Sequence, residues 1–394
     1  MKAEYRVLIP LDVLYLRGNR LFGEAGSHAE PQMPPWPSVF AGALRSLMLV
    51  QQNVDLEKFS RGEIAHDILG TPSSPGSFAV THVSLARRMA DGWQALLPLP
   101  GDVLVTGWER RSPAGPRLQV SYARPVALKR LEPVRLSCPE ALESVPVLRL
   151  KETEKIRAGA AWLTPDGLSK YMRGDSLEPG EIVRQDELWK TDPRLGIALD
   201  AETRTAAEGR IYTTEAVALC PDVGFLVGTV GTGNLLPSRG VVRLSGDGRG
   251  AELQEVSVDE PWLQLPETRS FRLILRTPAL SPHGWLPPGL VPHQGHWELQ
   301  LGGLRARLLA AVVPRNQVIS GWDLARWKPK PAVRAIPAGA VYWFRTEQED
   351  REALRHLVQE GFWVFLDPSQ LEGFASRKPE GWNQVFLADW NDTQ

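Results

Sequence analysis

The stretch "LYLRGNRLFGEAGSHAEPQMPPWPSVFAGALRS", residues 14–46, places Arg, Gly and His together, follows them with a proline cluster, and only then begins an amphipathic pattern. Val39, Phe40, Ala43, Leu44, Leu47 and Met48 fall on one face at helical spacing, with Ser38 as the capping residue of a helix over 38–51. The preceding "YRVLIPLDVLYL", residues 5–16, reads as a strand that Pro10 interrupts. The chain therefore opens with a strand, a long loop pinned at both ends, and a helix packed on a sheet. Such a loop can hold an anion, assemble an active site, or only close the first domain.

Outward from this stretch, residues 60–82 are rich in Gly, Pro and Ser and read as irregular. Val83 to Val134 alternates short apolar runs with turns, the pattern of β-hairpin insertions. Between Arg87 and Arg135 stand nine Arg or Lys residues against four acids, the largest local positive excess in the chain. "DPRLGIALDAETRTAAEGRIYTTEAVAL", residues 192–219, reads as a hairpin, and "VGFLVGTV", residues 223–230, as a further strand. Polar, Gly-rich residues 245–251 read as a linker or long turn. From "SFRLILRTPAL" the pattern changes to strands separated by Gly/Pro-rich loops. A β-α-β unit follows: "AVYWF", a helix from about Glu347 to Glu360, and "FWVFL". Thr346 with Glu349 fits a capping box and Gly361 a helix stop. The expected division is 1–255 and 256–394, in keeping with a length of 394 residues, which exceeds the size at which single cores usually stop growing.

Forty-five Lys plus Arg against 46 Asp plus Glu give a net charge of -1, so polyanion binding by the chain as a whole has no support, although a local patch remains open. Cys138 and Cys220 lack neighbours at metal-ligand spacing and predict neither a zinc site nor a disulfide. No signal peptide and no apolar run of 18 residues is present, which predicts a soluble, cytoplasmic chain.

Motifs for chemistry are sparse. "VGTVGTGNLLPSRG", residues 227–240, has the glycines but not the Gly-Lys-Ser/Thr ending of a phosphate loop, and reads as a turn with a phosphate contact at Arg239. "HQGH" sets His293 and His296 three apart, with no third metal ligand nearby in sequence. His28, close to Arg17, Arg20 and Arg45, has the types needed to deprotonate a 2'-hydroxyl and steady a phosphorane. Nucleophile elbows, kinase signatures and deaminase pairs are absent. "GWDLARWKPKPAVRAIPAG", residues 321–339, interleaves Trp322 and Trp327 with Arg326, Lys328, Lys330 and Arg334, a pattern that clamps phosphates while indoles stack on bases. The alternative for that stretch is a partly buried tryptophan loop with a charged rim.

Four blocks in order carry a resemblance: "PLDVLYLRGNRLFGEAGSHAEPQMPPWPSVFAGALRS", "LGIALDAETRTAAEGRIYTTEAVAL", "GWDLARWKPKPAVRAIPAGAVYWF" and "EGFASRKPEGWNQVFLADW". From residue 8 to about 390 the chain resembles the Cmr-module RAMP proteins of type III-B CRISPR effector complexes, in particular the subunit paired with the large palm-polymerase subunit. The resemblance implies an α+β chain of two ferredoxin-like (RRM-like) domains with long loop and β-hairpin insertions. It implies a non-catalytic RNA-binding scaffold in an antiviral ribonucleoprotein, holding the 5' repeat-derived tag of the CRISPR RNA (crRNA). The large subunit and the first backbone RAMP subunit are the implied partners, with no cofactor, metal, membrane or free small-molecule substrate.

Residue by residue, the first block brings Arg17, Gly23, His28, Pro37, Ser38, Gly42 and Arg45 to a surface near RNA. The second brings Gly196, Arg204, Thr205, Gly209 and Tyr212 to a phosphate-facing hairpin; the third brings Trp322, Lys328, Pro337 and Gly339, beside Arg326 and Lys330. The last block departs from the family's Gly-Phe-Gly, since Gly373-Phe374 is followed by Ala375 and Gly381-Trp382 by Asn383. Two other readings stay open: a metal-independent CRISPR RNA endonuclease acting through His28, and a module that contacts only proteins.

Overall fold

The computed structural model describes residues 2–16, 28–29, 31–106, 119–130, 142–148, 160–199, 203–323, 328–367 and 376–391. It is a mixed α+β structure dominated by antiparallel sheet. In chain order the first half supplies β1 (Glu4–Pro10), β2 (His28–Ala29), α1 (Pro37–Gln51), β3 (Ala79–Met89), β4 (Gly92–Pro98), β5 (Ala161–Leu163), α2 (Pro165–Arg173) and β6 (Ile182–Arg184). It continues with β7 (Trp189–Leu199), β8 (Ala206–Leu219), β9 (Val223–Val230), β10 (Arg239–Arg243) and β11 (Gly250–Val256). Eight of these strands form one sheet in the order β10-β11-β1-β9-β3-β4-β5-β6, while β7, β8 and β2 form a separate ribbon.

The expected strand at 223–230 is β9, buried from Val223 to Thr229 because both faces of the sheet are covered. Strands β1 and β3 both run antiparallel to β9, hence parallel to each other, and α1 makes the crossover between them. Phe40 on the buried face of α1 packs on Phe225 of β9 with ring centroids 5.2 Å apart.

The second half supplies β12 (Ser270–Leu275), β13 (Leu290–His293), β14 (His296–Leu301), β15 (Leu304–Val312), β16 (Val341–Gln348), α3 (Arg351–Glu360) and β17 (Val385–Asp389), in the sheet order β13-β14-β15-β16-β12-β17. Alternation along β12 sends Phe271, Leu273 and Leu275 to the core under α3. Ile274, with Trp343 and Phe386, joins Tyr5, Ala86 and Leu226 of the first sheet in one shared cluster. The two sheets thus face each other across common apolar packing.

Two arginines cross this joint. The Arg272 guanidinium pairs with Asp102 at 3.0 Å and donates to the carbonyls of Tyr171 and Asp389 at 2.8 and 3.1 Å. Arg276 donates to the Val385 carbonyl, Gln384 Oε1 and His82 Nδ1. As the guanidinium has only donors, His82 Nδ1 accepts, and Nε2 carries the proton that it donates to Ser84 Oγ at 2.9 Å. The ring stacks on Trp262 at 4.1 Å. Burial first, then the Arg276 charge, hold the His82 pKa well below the ordinary value of 6.5.

Several expectations need correction. Helix α1 begins at Pro37 after Trp36 with no side-chain cap, because proline at the first position has no N–H to satisfy; Ser38 caps nothing. Residues 245–251 are no linker: Gly250–Val256 is β11, hydrogen-bonded on both sides by β10 and β1. Strand β16 runs on through Gln348, so the cap of α3 is Asp350, accepting from the Ala353 N–H at 3.0 Å, and not Thr346 with Glu349. Gly361 ends α3 as expected, at φ 63°. "FWVFL" is a 3-10 turn with Phe362 and Trp363 buried, and the closing strand is β17; an apolar run of that length has no period to separate the two outcomes. Cys220 is free and Cys138 lies outside the described residues. Among the described residues no helix is long and apolar enough to cross a membrane.

Asp102→Ala leaves the Arg272 guanidinium buried without its partner and is expected to cost about 3–5 kcal/mol in denaturant unfolding, with the double variant Asp102→Leu/Arg272→Met costing less than either single change. For His82 the sign follows from its depressed pKa. Its neutral form belongs to the fold, so stability is full above about pH 6.5 and falls as pH drops below it, at about 1.4 kcal/mol per pH unit. His82→Asn should lack that part of the slope; equal slopes in the two proteins would sink the assignment.

Candidate nucleic-acid interface

The opening stretch ties three parts of the molecule together. Leu14 and Val217 exchange backbone hydrogen bonds at 2.8 Å, and His28–Ala29 pairs in parallel with Thr213–Thr214 of β8. Within the loop before α1, His28–Ala29 is therefore a short third strand of the β7–β8 ribbon. That ribbon is the expected hairpin, with Gly196 opposite Tyr212 and Gly209 within β8. Arg204 and Thr205 lie exposed in its turn, Arg204 in the left-handed region at φ 54° and the Thr205 hydroxyl 2.8 Å from that of Thr203.

Along β7, Leu195, Ile197 and Leu199 are 71%, 46% and 65% exposed. Leu195 and Ile197, at a spacing of two, share one face of the ribbon, and Leu199 follows past a register shift; together they form an exposed apolar ridge of the kind that marks a docking surface. Their alternation was visible in "LGIAL", where it served only to place the strand.

The other end of the stretch meets the third and last blocks at Glu380. This carboxylate is 3% exposed; it lies 3.3 Å from Lys330 Nζ and 3.4 Å from Arg377 Nη1, and accepts from Trp382 Nε1 at 2.7 Å. Burial pushes its pKa up, but Lys330, Arg377, the Trp382 hydrogen bond and the Arg45 charge outweigh burial and hold it below the usual carboxylate range. Burial also lowers the Arg45 pKa against the opposing pull of Glu380, and the Arg45 guanidinium lies 5.7 Å from the centre of the Phe78 ring. Arg377 further donates to the Ser320 carbonyl at 3.1 Å.

Trp36, just before α1, lies 6.5 Å from the fully buried Trp382, ring centre to ring centre. Gly381 between them has φ 92°, and a Cβ there would stand 2.9 Å from Val80 Cγ1 and 3.3 Å from Pro37 Cβ. Asn383, which replaces an expected glycine, adopts φ 70°, a region asparagine tolerates, and accepts from the Leu280 N–H at 2.6 Å. That departure from the family pattern is thus a structural pin.

The sequence-derived candidates divide accordingly. Arg45 and Lys330 come together at Glu380; Arg204 and Thr205 cap the ribbon; Arg239 begins β10 at the edge of the first sheet and is exposed. Lys328 is exposed on the short strand Lys328–Pro329, which pairs with Trp322–Asp323. Gly42 lies on the outer face of α1 with open space around it. Gly339, at φ 82°, lets its carbonyl accept from the Gly101 N–H at 2.8 Å across the joint between the halves. Arg17, Gly23, Arg326 and Gly373 lie outside the described residues. Sequence reading passed over Glu380, Arg377, Trp36 and Trp382, because the burial that makes the local Arg377–Glu380–Trp382 group a cluster comes from distant segments, Lys330 and Trp36 among them.

Glu380→Gln leaves two cationic side chains beside a neutral amide, one of them, Arg377, 4% exposed. The expected cost is about 3–5 kcal/mol in denaturant unfolding, with faster proteolysis at the two loops it joins. A change below about 1 kcal/mol would show that the cations find other partners.

The model of the CRISPR-associated protein family Cas_Cmr3 matches residues 6–389, bearing out the resemblance read from the four blocks. No curated protein sequence matches the chain. Among solved structures it is similar to a chain of the type III-B Cmr-beta complex bound to cognate target RNA, with 15% identity, TM-score 0.49, and 97% of this chain and 96% of that one covered. A second state of that complex, with target RNA and AMPPnP, gives 14% and 0.46 over the same shares. A chain of the Csm3–Csm4 subcomplex of the type III-A CRISPR-Cas interference complex gives 9% and 0.36 over 88% of this chain and 93% of that one. With the family model covering nearly its whole length, the chain belongs to the Cas_Cmr3 family of CRISPR-associated proteins.

Proposed function

We propose that the chain is a non-catalytic, RNA-binding scaffold subunit of a type III-B CRISPR effector complex, recognising the 5' repeat-derived tag of crRNA and docking on the large subunit. Family membership over residues 6–389 carries this reading. The physical support is that the opening stretch joins the ribbon at one end and the Glu380 cluster at the other, so the four blocks form one connected region.

The strand orders support two ferredoxin-like halves. Numbered within each half by chain order, β11-β1-β9-β3 and β17-β12-β16-β15 both run 4-1-3-2, the order of the split βαβ motif. Each half keeps one of the motif's two helices, α1 in the first and α3 in the second. Strands and loops stand in place of the others.

Arg204, Arg239 and Lys328 are exposed and, among the described residues, have no carboxylate at ion-pairing distance, which leaves them available for phosphate. The Leu195, Ile197 and Leu199 ridge is a surface for a protein partner.

The test is fluorescence anisotropy of labelled RNA carrying the cognate tag or a scrambled tag, with the chain alone and in complex with its large-subunit partner, across a salt series. Tag-selective binding without cleavage is expected. Arg204→Ala and Lys328→Ala should each weaken binding and reduce the salt slope by about one. Equal affinity for both RNAs in the assembled complex would favour a protein-only module. Metal-free cleavage lost in His28→Ala would make the chain an enzyme.

A further inference from the structure

The "HQGH" segment closes the hairpin between β13 and β14. Gln294 and Gly295 have φ 45° and 80°, both positive, as a two-residue type I′ turn requires. His293 and His296 are consequently a directly opposed cross-strand pair, with ring centroids 5.6 Å apart. Glu298 follows His296 by two positions and lies on the same face.

A third strand completes the group. Arg305 pairs with Gln348 and Ala306 with Thr346, so Glu347 is the extra residue of a bulge in β16, a feature that re-aims a side chain. A ring nitrogen of His296 and one carboxylate oxygen each from Glu298 and Glu347 all lie within 4.8 Å of one another, the one such group among the described residues.

A second observation points to a ligand. His296 is 8% exposed, and its Nε2 is buried without a hydrogen-bond partner. A buried ring nitrogen left so is costly unless something binds it. Glu298 is also buried, at 4% exposure, and both Gln300 Nε2, at 2.6 Å, and Arg305 Nε, at 3.8 Å, approach its Oε1. Gln300 orients the carboxylate, and Arg305, 38% exposed on its side chain, can turn to solvent when a cation arrives.

We propose that His296, Glu298 and Glu347 form a binding site for a divalent transition-metal ion of the zinc class, with the exposed His293 in reach as a fourth donor. Mixed imidazole and carboxylate donors suit Zn²⁺ better than the all-oxygen cages of Ca²⁺ or Mg²⁺. Tetrahedral ligation at about 2.0–2.2 Å places ligand atoms roughly 3.4 Å apart, which the exposed Glu347 side chain reaches by a rotamer change. The ion would staple the outer hairpin to β16 across β15.

The test uses the full chain, stripped with chelator and titrated with ZnCl₂ by calorimetry, with Co²⁺ absorption reporting the coordination. One equivalent is expected to bind, the thermal midpoint to rise with Zn²⁺, and Glu347→Gln and His296→Gln to weaken binding by about tenfold or more. Glu347 is exposed, so Glu347→Gln keeps the test valid if His296→Gln fails to fold. His283→Gln should bind as the parent does. Absence of saturable binding, or an isotherm unchanged in both Glu347→Gln and His296→Gln, would overturn the proposal.

Discussion

The joint between the two sheets depends on charged groups that could not be buried singly. Arg272 and Arg276 are 7% and 4% exposed, both reach from the second half toward the first, and burial, against the opposing pull of Tyr5 and Glu260, lowers the Arg276 pKa to about 10. They stay charged because their terminal nitrogens and the Arg276 Nε find acceptors in Asp102, three backbone carbonyls, Gln384 and a neutral His82, while the buried Arg272 Nε has no partner among the described residues. A purely apolar joint would tolerate sliding of one sheet over the other, whereas forked donors accept few relative positions. The surface built from both halves inherits that fixed geometry.

Glu380 solves the converse problem. One buried carboxylate gathers Lys330, Arg377 and, at longer range, Arg45, three cations from three distant segments. Charge that reads in the sequence as a basic, aromatic loop is here partly consumed in holding loops together. A nearly neutral chain can still offer locally positive surface, because Asp102 and Glu380 are buried with their cations while Arg204, Arg239 and Lys328 remain outside.

Local pattern carried much of the fold. The β7–β8 hairpin, β9, α1 and the stop at Gly361 each follow from a period or a turn residue within a dozen positions. The failures have a common cause. β11 was hidden because a Gly-rich turn precedes it and its burial comes from β1, more than 240 residues earlier. "FWVFL" became a 3-10 turn because Trp363 finds its acceptor at Trp382 O, 2.9 Å away and 19 residues on. In the same way the reading of "HQGH" stopped short of Glu298, two positions on, whose place beside His296 follows from the strand's alternation, and Glu347 is supplied only by register across β15. Periodicity reports neighbours on one element, and the site residues that stayed invisible are those whose partners belong to another.

The ribbon shows how this architecture bears on assembly. It belongs to neither large sheet; its base is anchored in the first core by Trp189 and Val217, and it is further held by Leu14, by the two residues of β2 and by its own pairing. Beyond that base a two-stranded hairpin gains little stability from its own pairing, so three exposed apolar side chains along one of its strands are a poor arrangement for a chain that works alone. They fit the docking of a protein partner proposed above, and that contact would bear on β2 through its parallel pairing with β8. On the proposed RNA-binding role, the affinity of this region for RNA would then depend on the neighbour, because the pairing of Thr213–Thr214 with His28–Ala29 couples a contact on the ribbon to the strand that precedes α1.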